Sequence, residues 1–146
     1  MADKLYKIVE GMLYNYKTVK AEILNIDIEI EDIRNEYSGC GSINYRERSS
    51  PTNKFNSSVE NEIVSKEKRI KYLQNKKEGK QRLINRIDNA INTLTLREIE
   101  IVHLRYFDKI SNQNVAKRLD LTEQRICEIK SSIINKLSNT ITLNNI

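Results

Sequence analysis

The chain has 146 residues, 38% of them hydrophobic and 31% charged, with one Pro, four Gly and a net charge of +5. That length allows one or two small domains, and the scarcity of Pro and Gly favours long helices over sheet. No apolar run approaches the length that spans a bilayer and charges recur through MADKLYKIVE, so neither membrane anchor nor signal peptide is expected and a cytoplasmic location is.

The first predicted element is a helix over residues 4–37. Leu5, Val9, Met12, Tyr16, Val19, Ile23, Ile26, Ile30, Ile33 and Tyr37 alternate steps of four and three without a break, the heptad pattern of a left-handed coiled coil. At 1.5 Å per residue the helix would be roughly 50 Å long. A stripe so narrow has to lie against another helix. Residues 38–57 break the pattern with Gly39, Gly41, Pro51 and a run of Ser, Thr and Asn, which reads as a loop. Its Tyr45, Arg46, Arg48, Lys54 and Phe55 suit either a flexible tether or contact with nucleic acid or protein.

A second heptad run predicts a helix over 58–93, capped by Ser57 with Glu60 completing a capping box. Val59, Ile63, Ile70, Leu73, Ile84, Ile87, Ile91 and Leu94 form its stripe. The same frame puts Lys66, Lys77 and Lys80 on the seam, and Gly79 implies a weak or bent middle. The two runs match in length, so an antiparallel hairpin follows, with Val9 opposite Ile87, Ile23 opposite Leu73 and Ile33 opposite Ile63. Residues 1–37 carry net −3 and residues 38–94 net +6, and opposite signs favour that pairing. The basic stretch from Lys66 to Arg86 fits either a solvated face balancing the acidic first helix or a grip on DNA backbone.

Residues 94–138 have the spacing of a helix-turn-helix. Val115, Ala116 and Leu119 share one side of a short helix capped by Ser111, with Ala116 the small residue that lets a second helix cross closely. Asp120, Leu121 and Thr122 make the turn, Leu121 plugging the angle and Thr122 capping the next helix. Ile126, Ile129, Ile133 and Leu137 give that helix a continuous apolar stripe. Its other face carries Glu123, Gln124, Arg125, Glu128, Ser131 and Ser132. Arg pairs with guanine, Gln with adenine, and an acidic side chain accepts from cytosine, so this is the composition of a base-reading helix. Residues 139–146 are expected to be a tail.

The run LTLREIEIVHLRYF from Leu94 to Phe107, followed by this helix-turn-helix, resembles region 4 of bacterial sigma-70-type factors. The resemblance covers about the last third of the chain, carries Asp120 where the family usually has Gly, and includes no counterpart of the region that melts the promoter. It implies a leading helix packed across the next two, a recognition helix reading a promoter, and RNA polymerase nearby. By that resemblance Gln124, Arg125 and Glu128 are base readers, with Glu123 beside them, and Lys117, Arg118 and Lys130, with Thr122 and Ser131, approach the DNA backbone. The fold expected is thus all-α, a long coiled-coil-like antiparallel hairpin over 1–93 followed by the sigma-region-4-like domain.

No catalytic constellation accompanies these elements: the chain has no Gly-rich phosphate loop, and one histidine, His103, without a nucleophile to serve. Cys40 and Cys127 lack ligand spacing, so no metal or cofactor is expected. The reading is a sequence-specific DNA-binding transcription regulator, not an enzyme, acting on double-stranded DNA as a homodimer or higher homo-oligomer. Size, element order and motif are similar to phage late-gene activators of the ArpU and RinA type. Two other readings are a DNA-packaging subunit of the small-terminase kind and a sigma-like adaptor that binds a protein through the hairpin.

Overall fold

A computed structural model describes residues 2–39 and 54–141, and every regular element among them is helical. The fold is all-α, a helical hairpin followed by a helix-turn-helix head. None of the described helices is long and apolar enough to cross a membrane. Packing groups the residues into two compact units, 21–81 and 1–20 with 82–146. The second takes in both chain segments next to the head, so compactness does not divide the molecule at residue 93.

The unit of residues 21–81 is built from α2 (Tyr16–Gly39) and α3 (Lys54–Ile91). Ile26, Ile30, Ile33 and Leu73 form its buried core, with Ile70 packed against them. The helices run antiparallel, because Asp27 pairs with Lys77 while the earlier Glu22 pairs with the later Lys80. This register is displaced by one heptad from the expected one: Ile33 shares a shallow groove with Lys66 and Ile70, not with Ile63. A seven-residue slip keeps apolar stripe against apolar stripe, so hydrophobicity does not choose between the two registers. The seam lysines do. In the expected register Lys77 would face Val19, whereas displaced it reaches Asp27. Side-chain exposures of 26–46% put these pairs near the surface, worth about 0.2–1 kcal/mol each, enough to separate registers otherwise alike.

Both helices overrun the expected loop. α2 extends to Gly39 and α3 starts at Lys54, so Ser57 lies inside α3 and is not its cap, and Lys54 and Phe55 belong to the helix. The remainder, with Tyr45, Arg46, Arg48 and Cys40, lies outside the described residues. α3 runs unbroken through Gly79, where a Cβ would meet nothing within 4 Å.

In the other unit, the expected continuous helix over 4–37 is interrupted at Asn15, which separates α1 (Ala2–Tyr14) from α2. Hydrogen bonding persists there, Asn15 N–H donating to Gly11 and its carbonyl accepting from Val19. Around the interruption Val9, Leu13 and Tyr16 are buried while Met12 is half-buried. The stripe rotates because α1 has neighbours that a two-helix seam does not anticipate: it packs on the head.

The head begins with α4 (Leu96–Val102), capped by Thr95 in a capping box with Glu98, and ends this leading segment in a π-helical turn, His103–Phe107. Its wider turn, in which Asp108 N–H donates to the His103 carbonyl, carries Tyr106 and Phe107 into the core. α5 (Asn112–Leu119) and α6 (Glu123–Ile141) complete it. α6 reaches past the expected end at residue 138, and Ser138 and Ile141 are buried. Residues 142–146 lie outside the described residues.

Candidate nucleic-acid interface

α5 and α6 meet through side chains whose sizes and spacing set the angle between them. Ser111 caps α5, its hydroxyl accepting from Asn114 N–H at 3.3 Å. Val115, Ala116 and Leu119 are buried against α6, Val115 completely. Asp120 then turns the chain with φ 53° and ψ 42°, the left-handed conformation, and Leu121 N–H donates back to the Ala116 carbonyl at 2.9 Å. Leu121 is half-buried in the bend. Thr122 starts the next helix, its hydroxyl accepting from Arg125 N–H at 3.1 Å.

From that cap α6 divides cleanly. Ile126, Ile133, Ile134 and Leu137 are fully buried and Ile129 half-buried, whereas Glu123, Gln124, Arg125, Glu128, Ser131 and Ser132 are exposed. The exposed row occupies the helix's N-terminal half, the part a groove-bound helix offers to base edges. Arg125 and Glu128 form an exposed pair at 3.1 Å. Such a pair is weak enough to be given up for a bidentate base contact. Lys117 and Arg118 are exposed on α5. Lys130 differs: its side chain is only 16% exposed and its ammonium lies 3.5 Å from Glu10. Cys127 is exposed and accepts from the Asn112 amide at 3.6 Å.

Three polar connections brace this surface from behind, and none is foreshadowed by the helix-turn-helix spacing. Arg97 donates to the Leu119 carbonyl at 3.0 Å, satisfying an acceptor left open at the end of α5. Glu98 accepts from Lys136 at 2.9 Å and from Thr95 N–H at 3.3 Å, joining α4 to α6. Burial opposes ionisation of Glu98, but the hydrogen bonds from Lys136 and Thr95 outweigh it and hold its carboxyl below the usual glutamate value. Glu10 of α1 accepts from the buried Tyr106 hydroxyl at 2.8 Å and faces Lys130, linking α1 to the π-helical turn and to α6.

Aromatic packing closes the same joint. Tyr14 meets Tyr106 edge-on with centroids 5.0 Å apart, and Tyr16 stacks on Phe107 at 4.3 Å. Arg105 lies over the Tyr14 and Tyr106 rings and donates to the Asn112 side chain at 2.7 Å, tying this cluster to the start of α5. Burial, then the Glu10 hydrogen bond, push the Tyr106 hydroxyl far above its ordinary value; burial and Asp88 act likewise on Tyr16. His103 is exposed, its ring edge-on to Phe107.

Residues 90–139 match the family model of sigma-70, region 4. No curated protein and no solved structure matches the chain. The head is a sigma-70 region 4-like helix-turn-helix, a kind of domain that binds DNA in transcription regulation and is not itself catalytic.

Proposed function

We propose that the chain is a sequence-specific transcription regulator whose head reads a promoter or operator beside RNA polymerase. The observation that carries this is the division of α6: a fully buried face under a region 4-like match, and opposite it an exposed row of Gln124, Arg125 and Glu128. Glu123 flanks the row, while Lys117, Arg118, Thr122 and Ser131 supply backbone contacts around it. The layout supports the role of a phage or prophage late-gene activator working in the host cytoplasm. The hairpin brings chains together as a homodimer or higher homo-oligomer, a reading supported by Leu24 and Ile28, one turn apart and 64% and 55% exposed. Two heads would then favour half-sites one helical turn, or a multiple of it, apart.

Selection of bound fragments from random and genomic DNA, at two salt concentrations, tests the proposal. One enriched motif that survives the higher salt and is lost in Arg125→Ala is the expected result. Salt-labile binding without a motif, unchanged in Arg125→Ala, would overturn it in favour of a packaging or architectural role.

A further inference from the structure

Between Lys66 and Lys80 the basic residues of α3 fall into two groups. Lys66, Lys77 and Lys80 lie toward α2 and pair with Glu62, Asp27 and Glu22 respectively. Lys68, Arg69, Lys71 and Lys76 are all exposed and make no ion pair or hydrogen bond with the described residues. Only Lys77 and Lys80 thus reach carboxylates of α2, since Glu62 belongs to α3 itself, and the second group adds no ion pair to the hairpin among the described residues. Lys68, Tyr72 and Lys76 recur every four residues, a row with steps of about 6 Å, with Arg69 and Lys71 on its flanks. It runs from the outer side at Lys68 to Lys76, which borders a groove shared with Glu22 and Glu29 of α2. Tyr72 stands in the middle, 66% exposed, with a ring and hydroxyl open to solvent.

We infer that this outer face of α3 is a second DNA-binding surface, one that grips the phosphate backbone without reading bases. Its occupant is double-stranded DNA and not another protein, because protein interfaces are depleted in lysine, whereas a row of flexible, hydrated ammonium groups is what a polyphosphate takes. Tyr72 adds a hydroxyl donor to the same backbone. The inference does not depend on what α6 reads, and the two fail separately: sequence preference belongs to the head and the salt dependence of this face to the hairpin.

The test is the full chain carrying Lys68→Gln, Lys71→Gln and Lys76→Gln together, with Lys77→Gln as the paired-lysine control. Binding to a labelled duplex without any selected motif is followed by anisotropy across salt. Neutralising three phosphate contacts lowers the slope of log affinity against log salt by about 2.7. Between about 50 and about 200 mM salt the wild type then loses about 40-fold more affinity than the triple variant, which is already weak at the lower concentration. Lys77→Gln keeps the wild-type slope. An unchanged slope in the triple variant overturns the inference. So does an unchanged duplex affinity with lost binding to phosphatidylserine vesicles, which would assign the face to an anionic membrane, or with a changed oligomeric state by ultracentrifugation, which would assign it to another copy of the chain.

Discussion

Replacing Glu98 separates two jobs that its carboxylate performs at once. One oxygen accepts from Thr95 N–H in the capping box, and both oxygens accept from Lys136, at 2.9 and 3.0 Å. Glu98→Gln keeps an acceptor for the cap and removes the charge, whereas Glu98→Ala removes both. The cap contributes about 1 kcal/mol. The ion pair is valued as a surface pair, about 0.2–1 kcal/mol, because the Lys136 side chain is 53% exposed even though that of Glu98 is only 10% exposed. Urea unfolding at neutral pH should therefore give a loss of up to about 1 kcal/mol for Glu98→Gln and about 1–2 kcal/mol for Glu98→Ala. Since the folded carboxyl lies below its ordinary value of 4.5, its ionised contribution is complete above that pH and disappears as pH falls through the lowered value. The gap between wild type and Glu98→Gln should close in acid and stay constant from pH 6 to 8. A Glu98→Gln loss equal to that of Glu98→Ala, or a gap that persists in acid, would refute the division into cap and pair.

Two further outcomes follow from the head's geometry. At the left-handed Asp120, Gly is unstrained and removes a negative charge from the C-terminal end of α5, while a β-branched residue is strained, so Asp120→Gly should leave thermal stability equal or raised and Asp120→Val should cost about 1–2 kcal/mol; equal melting temperatures for the two variants would contradict this. Tyr106→Phe takes the donor from Glu10 and should cost about 1–2 kcal/mol. The raised Tyr106 value means its contribution is whole below pH 10 and lost above, so alkaline spectrophotometric titration should show Tyr106 silent until the fold opens, and ionisation of every tyrosine in the folded protein would contradict it.

What could be read from the amino acids was whatever depends on near neighbours. Val115, Ala116, Leu119 and Ile126 have their burial written in spacings of one to four residues. Capping patterns are less decisive: the box expected at Ser57 and Glu60 falls inside α3, while one forms at Thr95 and Glu98. Contacts between distant segments were less legible. Heptads repeat, so the apolar stripes of α2 and α3 fit in more than one register, and the choice falls to lone pairs such as Asp27 with Lys77. The docking of α1 rests on Glu10, Leu13 and Tyr14, which lie off the coiled-coil seam and gain meaning only once Tyr106 is opposite. Tyr106 itself points inward because the leading helix widens into a π turn, a change that no hydrophobic pattern announces. Lys130 has the charge expected beside phosphate, yet Glu10 holds its ammonium, and no local signal joins residues so far apart.

The link from Glu10 to Tyr106 spans 96 residues of chain. At a translation rate of about 5–20 residues per second, α1 leaves the ribosome roughly 5–20 s before its partners in the head exist. During that interval Val9 and Leu13 have no covering surface from the head, while α2 and α3 can close on each other from contacts nearer in sequence. The hairpin is thus closed earlier in synthesis than the head, which acquires its brace only when Tyr106 and Lys130 meet Glu10.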